Sequence, residues 1–150
     1  MKKLLCLLAL SFGVLFPTLA QSEEQAVKEV IMSLFDGMRA KDAEMVMKSF
    51  SSDAMMQTVI ADPSGTRVGS NSVEDFGKRI ATTPAETELD ERILDYQIKI
   101  DGNMAAAWTP YEFYVNGNFS HCGVNSFQLV KMSEGWKIVY IIDTRRKEGC

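Results

Sequence analysis

Three tight turns constrain the fold of this chain more than any other feature of its sequence. They lie at residues 101–103, 116–117 and 133–135, where Gly and Asn tolerate the positive φ angles that such turns need. Turns of this kind join neighbouring antiparallel strands. Residues 92–146 are therefore predicted to form four long antiparallel strands.

Each turn also predicts a register, because partners in an antiparallel pair keep a constant sum of residue numbers. The turn at residues 116–117 places Glu112 opposite His121. Further along the same hairpin it places Trp108 opposite Asn125. The contact between Glu112 and His121 is the most secure of these predictions, since it lies only a few residues from the turn.

The other two turns extend the register across the sheet. A three-residue loop at residues 101–103 pairs Ile100 with Met104. The last hairpin pairs Lys131 with Trp136. The three registers together place one apolar set on a predicted core face: Leu94, Tyr96, Ile98, Ile100, Met104, Trp108, Tyr114, Phe119, Phe127, Leu129, Trp136, Ile138, Tyr140 and Ile142.

The opposite face is predicted to be half polar and half apolar. Its apolar members are Tyr111, Phe113, Val124, Val139 and Ile141. Five apolar residues on adjacent strands form a patch that water disfavours, which suits a surface covered by a partner subunit. We therefore expect a homodimer that associates through this face.

The N-terminal residues have the composition of a secretory signal peptide. Lys2 and Lys3 precede an apolar run at residues 4–16, and a small residue, Ala20, lies at the expected cleavage site. The run is too short to span a bilayer comfortably, so no stable membrane anchor is expected. The sequence thus predicts a signal peptide at 1–20, one domain at 21–150, and a periplasmic or secreted protein.

Charge and composition exclude some classes of partner. Loss of the two lysines in the signal peptide would change the formal net charge from −4 to −6, and no basic stripe is present, so we expect no nucleic-acid partner. With one histidine and no other ligand cluster, a metal site is not expected, and no cofactor is predicted. Cys122 and Cys150 remain in the mature chain. In an oxidising compartment three states are open to them: an intramolecular bridge, an intersubunit bridge, or two free thiols.

The first half of the chain is predicted to be mainly helical. Apolar residues recur at three- and four-residue steps from Ser22 to about residue 40, which indicates an amphipathic helix. Asp42 is placed to cap a second, shorter helix, and Asn71 or Ser72 a third. A strand at 54–60 and a short return strand lie between the last two. The whole pattern predicts an α+β domain with helices on one face of a bent antiparallel sheet.

The order of elements, together with three sequence runs, resembles the nuclear transport factor 2-like superfamily. The runs are Trp-Thr-Pro-Tyr-Glu-Phe-Tyr at 108–114, Phe-Ser-His-Cys-Gly-Val at 119–124 and Gly-Trp-Lys-Ile at 135–138. Within it, the chain is most similar to exported bacterial lumazine-binding-like and SnoaL-like proteins. The resemblance covers residues 21–150 and implies a cystatin-like cone of three N-terminal helices on a strongly bent antiparallel sheet. The superfamily includes isomerases, dehydratases, cyclases and non-enzymatic binding or assembly modules.

Candidate site residues follow from the predicted core face. Glu112 and His121 are expected to act as a general acid and base or to form a satisfied polar patch. Asn125 is a candidate to hold a ligand carbonyl, or it bonds only the backbone. Trp108 and Tyr96 are candidates to line a pocket for a flat ligand. Two arginines at strand ends either bind an anionic ligand or are simply solvated: Arg92 and Arg146.

Two functional classes remain from the sequence alone. The first is an exported module that binds an aromatic or heterocyclic small molecule without changing it. The second is an acid-base isomerase, dehydratase or cyclase that uses Glu112 and His121. A pKa of His121 that is coupled to Glu112 would favour the enzyme, whereas a binding module needs only a complementary shape.

Overall fold

The computed structural model describes residues 19–150, with side chains from Ser22 onward. The predicted signal peptide therefore lies almost wholly outside the described residues. The helices are α1 (Leu19–Ala40), α2 (Ala43–Lys48) and α3 (Val73–Ala81). The strands are β1 (Phe50–Asp62), β2 (Gly65–Ser72), β3 (Leu89–Ile93), β4 (Gln97–Asp101), β5 (Met104–Val115), β6 (Asn118–Met132) and β7 (Gly135–Thr144).

The helices form where the apolar periodicity predicts them. Val27, Ile31 and Leu34 on one stripe of α1 are buried against the sheet, which confirms the predicted inward face. The Asp42 carboxylate accepts a hydrogen bond of 2.9 Å from the Met45 N–H and so caps α2. Ser72 caps α3 in the same way. No described helix has the length and apolar character needed to cross a membrane.

The seven strands form one curved, unclosed sheet in the order β2-β1-β7-β6-β5-β3, with β4 also paired to β5. The predicted α+β architecture is confirmed. Two details differ: β1 and β7 run parallel, and the first of the four predicted long strands is divided into β3 and β4. The division lies opposite Pro110, which lacks an N–H to donate, while its carbonyl still accepts from the Leu94 N–H at 2.9 Å.

A β-bulge at Ser120 makes the predicted register of the β5–β6 hairpin wrong beyond its first two pairs. Tyr114 faces Phe119 as predicted, but Phe113, not Glu112, then faces His121. One extra residue in β6 moves every later partner by one position, so side chains exchange faces of the sheet.

Two similar shifts occur elsewhere in the sheet. The turn between β4 and β5 is two residues long, so Ile100 pairs with Ala105 and not with Met104. In the last hairpin Lys131 pairs with Trp136 as predicted, and the shift beyond Ile138 leaves Val139 as an extra residue.

The shifts change which residues form the inner face, the face of the sheet covered by the helices. Phe127, Leu129, Trp136 and Ile138 are buried there as predicted. Five others assigned to the core face are exposed instead: Leu94, Ile100, Met104, Trp108 and Phe119. Small residues of β5 take their place beneath the helices: Ala105, Ala107 and Thr109. The predicted dimer patch is also wrong, because Tyr111, Phe113 and Ile141 face inward.

The C-terminal tail is attached to β6 by a disulfide between Cys122 and Cys150, with Cα atoms 5.8 Å apart. This confirms the intramolecular alternative for the two cysteines. Cys122 and Arg146 also exchange two backbone hydrogen bonds of 2.9 Å. The bridge therefore extends a β-type contact that begins beside the end of β7.

Candidate functional site

A cavity of about 330 Å³ lies between the inner face of the sheet and the helices. Its apolar wall is formed mainly by Leu34, Phe35, Met38, Phe76, Ile80, Leu89, Phe113 and Ile141. Its polar residues include Thr58, Asn71, Glu91, Tyr111, His121, Asn125, Asp143 and Arg145. An apolar chamber with a few convergent polar groups is the usual composition of a small-molecule site.

Asp143 is the best-satisfied polar group of the cavity. Its carboxylate accepts hydrogen bonds from the Thr58 hydroxyl and from Arg145 Nε, the latter at 2.8 Å. The Tyr111 hydroxyl lies 3.4 Å from the same carboxylate and donates at 3.0 Å to the carbonyl of Thr144. Burial raises the pKa of Tyr111, so this phenol remains protonated.

Glu91 is the second carboxyl group of the cavity, and its environment is different. Asn125 Nδ2 donates to Glu91 Oε1 at 2.7 Å, and no ion pair to Glu91 is seen among the described residues. Burial raises the pKa of Glu91 from 4.5 to about 7, and the negative charge of Asp143 acts in the same direction. Glu91 and Asp143 are thus two carboxyl groups with different surroundings, since Asp143 has an ion pair with Arg145 and Glu91 has only the amide of Asn125.

His121 lines the cavity as an uncharged ring. Its ring centroid lies 5.1 Å from that of Phe113 and 5.8 Å from that of Tyr111, and its Nδ1 lies 3.0 Å from the Ser120 hydroxyl. Burial lowers the pKa of His121, and the positive charge of Arg145 lowers it further. The ring therefore contributes shape and a neutral polar edge.

The predicted pair of Glu112 and His121 does not form. Glu112 pairs with Cys122 on the opposite face of the sheet and accepts a hydrogen bond of 2.8 Å from the Tyr114 hydroxyl. The Ser120 bulge is the physical reason, because it places Glu112 and His121 on different faces. Of this pair, only His121 reaches the cavity.

Of three predicted ligand-binding residues, Asn125 lines the cavity, and Trp108 and Tyr96 do not. Asn125 lines the cavity, 4% exposed. Trp108 is 50% exposed and points away from the helices. Tyr96 is partly buried, with Lys28 Nζ 4.6 Å from its ring centroid, and is not part of the cavity wall.

The two candidate arginines also lie outside the cavity. Arg92 forms an ion pair with Asp90 at 2.6 Å and stacks on Tyr114 with 4.0 Å between guanidinium carbon and ring centroid. The guanidinium of Arg146 donates to the carbonyl of Gly149. Arg92 pairs with Glu112 and shares its face, opposite the helices, while the extra residue at Val139 places Arg146 opposite Cys122.

The sequence predictions missed Glu91, Tyr111, Asp143 and Arg145. Tyr111 is predicted on the wrong face, and Glu91 lies just before the predicted start of the sheet at Arg92. The three consecutive alanines at 105–107 give no signal for which side of β5 faces the helices. The described residues contain no cluster of three or more metal-ligating side chains.

Comparisons with known proteins agree with this architecture. Residues 22–141 match the model of a family described as "Putative lumazine-binding". An NTF2-like protein with a cystatin-like fold from Novosphingobium aromaticivorans is similar in structure, with a TM-score of 0.69, 15% identity, and coverage of 87% of this chain and 86% of that one. No curated protein matches the sequence.

Two other solved structures share the fold. An NTF2-like protein of unknown function from Shewanella baltica has a TM-score of 0.63 at 19% identity, over 89% of this chain and 100% of that one. A "putative dehydratase" of the NTF2-like family from Streptomyces avermitilis has a TM-score of 0.65 at 13% identity, over 85% of this chain and 98% of that one. Identities this low establish the fold alone.

Proposed function

The chain belongs to the putative lumazine-binding family of the nuclear transport factor 2-like superfamily, and from that premise we propose an exported protein that binds a small aromatic or heterocyclic molecule without changing it. The observation that carries the proposal is the cavity itself. Its apolar wall can cover a flat ring, and five of its polar groups lie on the neighbouring strands β3, β5, β6 and β7: Glu91, Tyr111, His121, Asn125 and Asp143. Such an arrangement buries a ring and orients its polar edge.

Cavity binding can be tested by blocking the chamber. Leu89 lines it, whereas Leu94 is 60% exposed just beyond the end of β3 and serves as a matched control. Leu89→Trp should abolish copurification of a ligand detected by native mass spectrometry, and Leu94→Trp should retain it. The affinity for lumazine, measured by calorimetry as a first probe, should fall at least about tenfold only in Leu89→Trp. Equal binding by both variants would place the ligand elsewhere.

The proposal of export has its own support and test. Disulfides persist in oxidising compartments, which suits the bond between Cys122 and Cys150. Protein recovered from a periplasmic extract should begin at Gln21 by N-terminal sequencing. A full-length chain found only in the cytosolic fraction would argue against export.

We further propose a homodimer that uses the outer face, the face of the sheet opposite the helices. Met104 and Trp108 lie there with about half of their surface exposed, and Met55 on β1, which β7 and β6 separate from β5, is 59% exposed. Exposed apolar residues on one sheet face favour association with a second copy. Sedimentation of wild type and Trp108→Glu at micromolar concentration tests this, and a monomeric wild type would rule it out.

A second candidate function, acid-base catalysis, is favoured by one observation. Glu91, with its pKa raised to about 7, can accept or donate a proton near neutral pH beside Asp143, which is paired with Arg145. An enzyme of this kind would release a chemically altered ligand. Mass spectrometry of the copurified compound after incubation with fresh protein separates the two functions, since a binding protein returns it unchanged.

A further inference from the structure

The two carboxyl groups of the cavity differ in what remains available for a ligand. Asp143 is held by the Thr58 hydroxyl and by the Arg145 guanidinium, with the Tyr111 hydroxyl also close. Glu91 receives only the Asn125 amide, on Oε1. No described side chain donates to Oε2 of Glu91, and this atom belongs to a residue of the cavity wall.

The charges around Glu91 also differ from those around Asp143. Three groups line the cavity together with Glu91. They are the protonated phenol of Tyr111 on β5, the ring of His121 on β6, whose pKa is lowered, and the carboxylate of Asp143 on β7. The guanidinium of Arg145 forms an ion pair with Asp143, with 2.8 Å between Arg145 Nε and the carboxylate oxygen. From α3, Arg79 lines the cavity and is exposed, while α1 contributes only Leu34, Phe35 and Met38, which do not titrate.

Two carboxyl groups therefore share one chamber in which the nearest cation is already paired. An isolated carboxylate in such surroundings is unfavourable, because desolvation and the like charge both disfavour its ionised form. A neutral carboxylic acid avoids both costs and gains an O–H that can donate into the cavity. The pKa of about 7 agrees with this geometry.

We propose that Glu91 is the residue that recognises the ligand, that it does so as a neutral acid, and that the ligand is an uncharged ring with a carbonyl beside a ring N–H. This inference rests on the proposed binding function and names its ligand class. The O–H on Oε2 donates to the ligand carbonyl, and Oε1, fixed by Asn125, accepts from the ring N–H. A cyclic amide satisfies both contacts without bringing a charge into the chamber.

The test uses quinolin-2(1H)-one, a bicyclic cyclic amide that does not titrate near neutral pH, with calorimetry on the purified mature protein. Wild-type affinity should be constant below about pH 7 and fall about tenfold per pH unit above it, as the acid ionises. Glu91→Gln keeps the shape and presents an N–H donor, so its affinity at pH 6 should lie within about threefold of wild type and stay flat to pH 8.5. Glu91→Leu should bind at least about tenfold more weakly than wild type at pH 6, with an affinity that does not depend on pH.

Several outcomes would overturn the inference. One is a wild-type affinity that is independent of pH or that rises with pH, as an ionised Glu91 paired to a cationic ligand would give. Equal binding of 1-methylquinolin-2-one, which lacks the N–H, would remove the two-point contact. No binding of quinolin-2(1H)-one at any pH would refute the ligand class, while a copurified compound of different chemistry that Leu89→Trp excludes would leave the proposed binding function intact.

A measurement without ligand separates recognition from a folding defect. The infrared difference spectrum between wild type and Glu91→Gln at pH 6 should contain the carbonyl band of one protonated carboxyl group, which should disappear above pH 8. Circular dichroism should show the same fold for both proteins. A wild type without this band at pH 6 would overturn the neutral state of Glu91.

Discussion

The inner face of the sheet has two ends that share one alternating pattern but differ in how they are filled. At the closed end, Leu129, Ile138 and Phe50 occupy neighbouring strands and are fully packed by helices. At the open end, the corresponding positions hold Asn125 and Asp143, and a cavity remains above them. The closed end therefore contributes stability through close packing. The open end is less closely packed, and its polar groups are available to a ligand.

The largest expected effect comes from breaking the closed end. Phe127 is 0% exposed and lies edge-on to Phe35 with ring centroids 6.3 Å apart. Phe127→Ala should lower the free energy of unfolding by about 3–5 kcal/mol, because it removes a ring and leaves a void. Phe119→Ala, on a ring that is 44% exposed, is the matched control and should cost less than about 1 kcal/mol. Urea denaturation gives both values, and similar losses in the two variants would contradict the assigned faces.

The disulfide should have the next largest effect. Cys122 and Cys150 are 28 positions apart, and a loop of this length restricts the unfolded chain by about 3 kcal/mol. Cys150→Ala should lower the free energy of unfolding by roughly that amount, as should reduction of wild type, measured by urea denaturation. Thiol mapping is the control. Two freely alkylated cysteines in protein from the periplasm would contradict the bond.

At the open end, the carboxyl group of Glu91 should make the free energy of unfolding depend on pH. The pKa of Glu91 rises from 4.5 to about 7 on folding, so the folded state holds a proton that the unfolded state loses first. The contribution of Glu91 to stability should therefore be largest below about pH 4.5, fall as the pH rises to 7, and then level off. Glu91→Gln lacks this contribution. Its stability relative to wild type should rise by about 3 kcal/mol between pH 4.5 and 8, and a constant difference in thermal or urea unfolding would refute the shift.

The smallest effect is expected from the outer face. Trp108 is half exposed and not part of the cavity wall, so Trp108→Gln should change ligand affinity by less than about twofold. Calorimetry with the copurified ligand measures this. A loss of affinity comparable to that of Leu89→Trp would show that a substitution on the outer face alters binding in the cavity.

The sequence predicted the architecture well because its signals are local. Helical periodicity, the caps at Asp42 and Ser72 and the turn residues each act within a few positions, and they agree with the structure apart from the length of the first turn. The site was predicted poorly because the register of each strand pair was extrapolated from its turn, so a bulge changes every partner beyond it. One bulge at Ser120 was enough to exchange Glu112 for Phe113 beside His121.

Bulges themselves have weak sequence signals, which explains why the residues at the open end were harder to predict than those at the closed end. Near its turn, the last hairpin followed the predicted register through Leu129 and Ile138, and these residues are buried as expected. Beyond Val139 the partners change, and Ile141 and Asp143 turn inward. In the two later hairpins, the distance from the turn, rather than the residue type, decided where prediction succeeded.

The bulge at Ser120 also decides which side chains of the hairpin face the cavity. Ser120 has no partner on β5, so deleting it would leave a regular ladder in which His121 still faces Phe113. If Ser120 instead paired with Phe113, His121 would face Glu112, and the side chains beyond it would turn to the opposite face. In this hairpin, the binding surface therefore depends on which residues are counted into the ladder as much as on their chemistry.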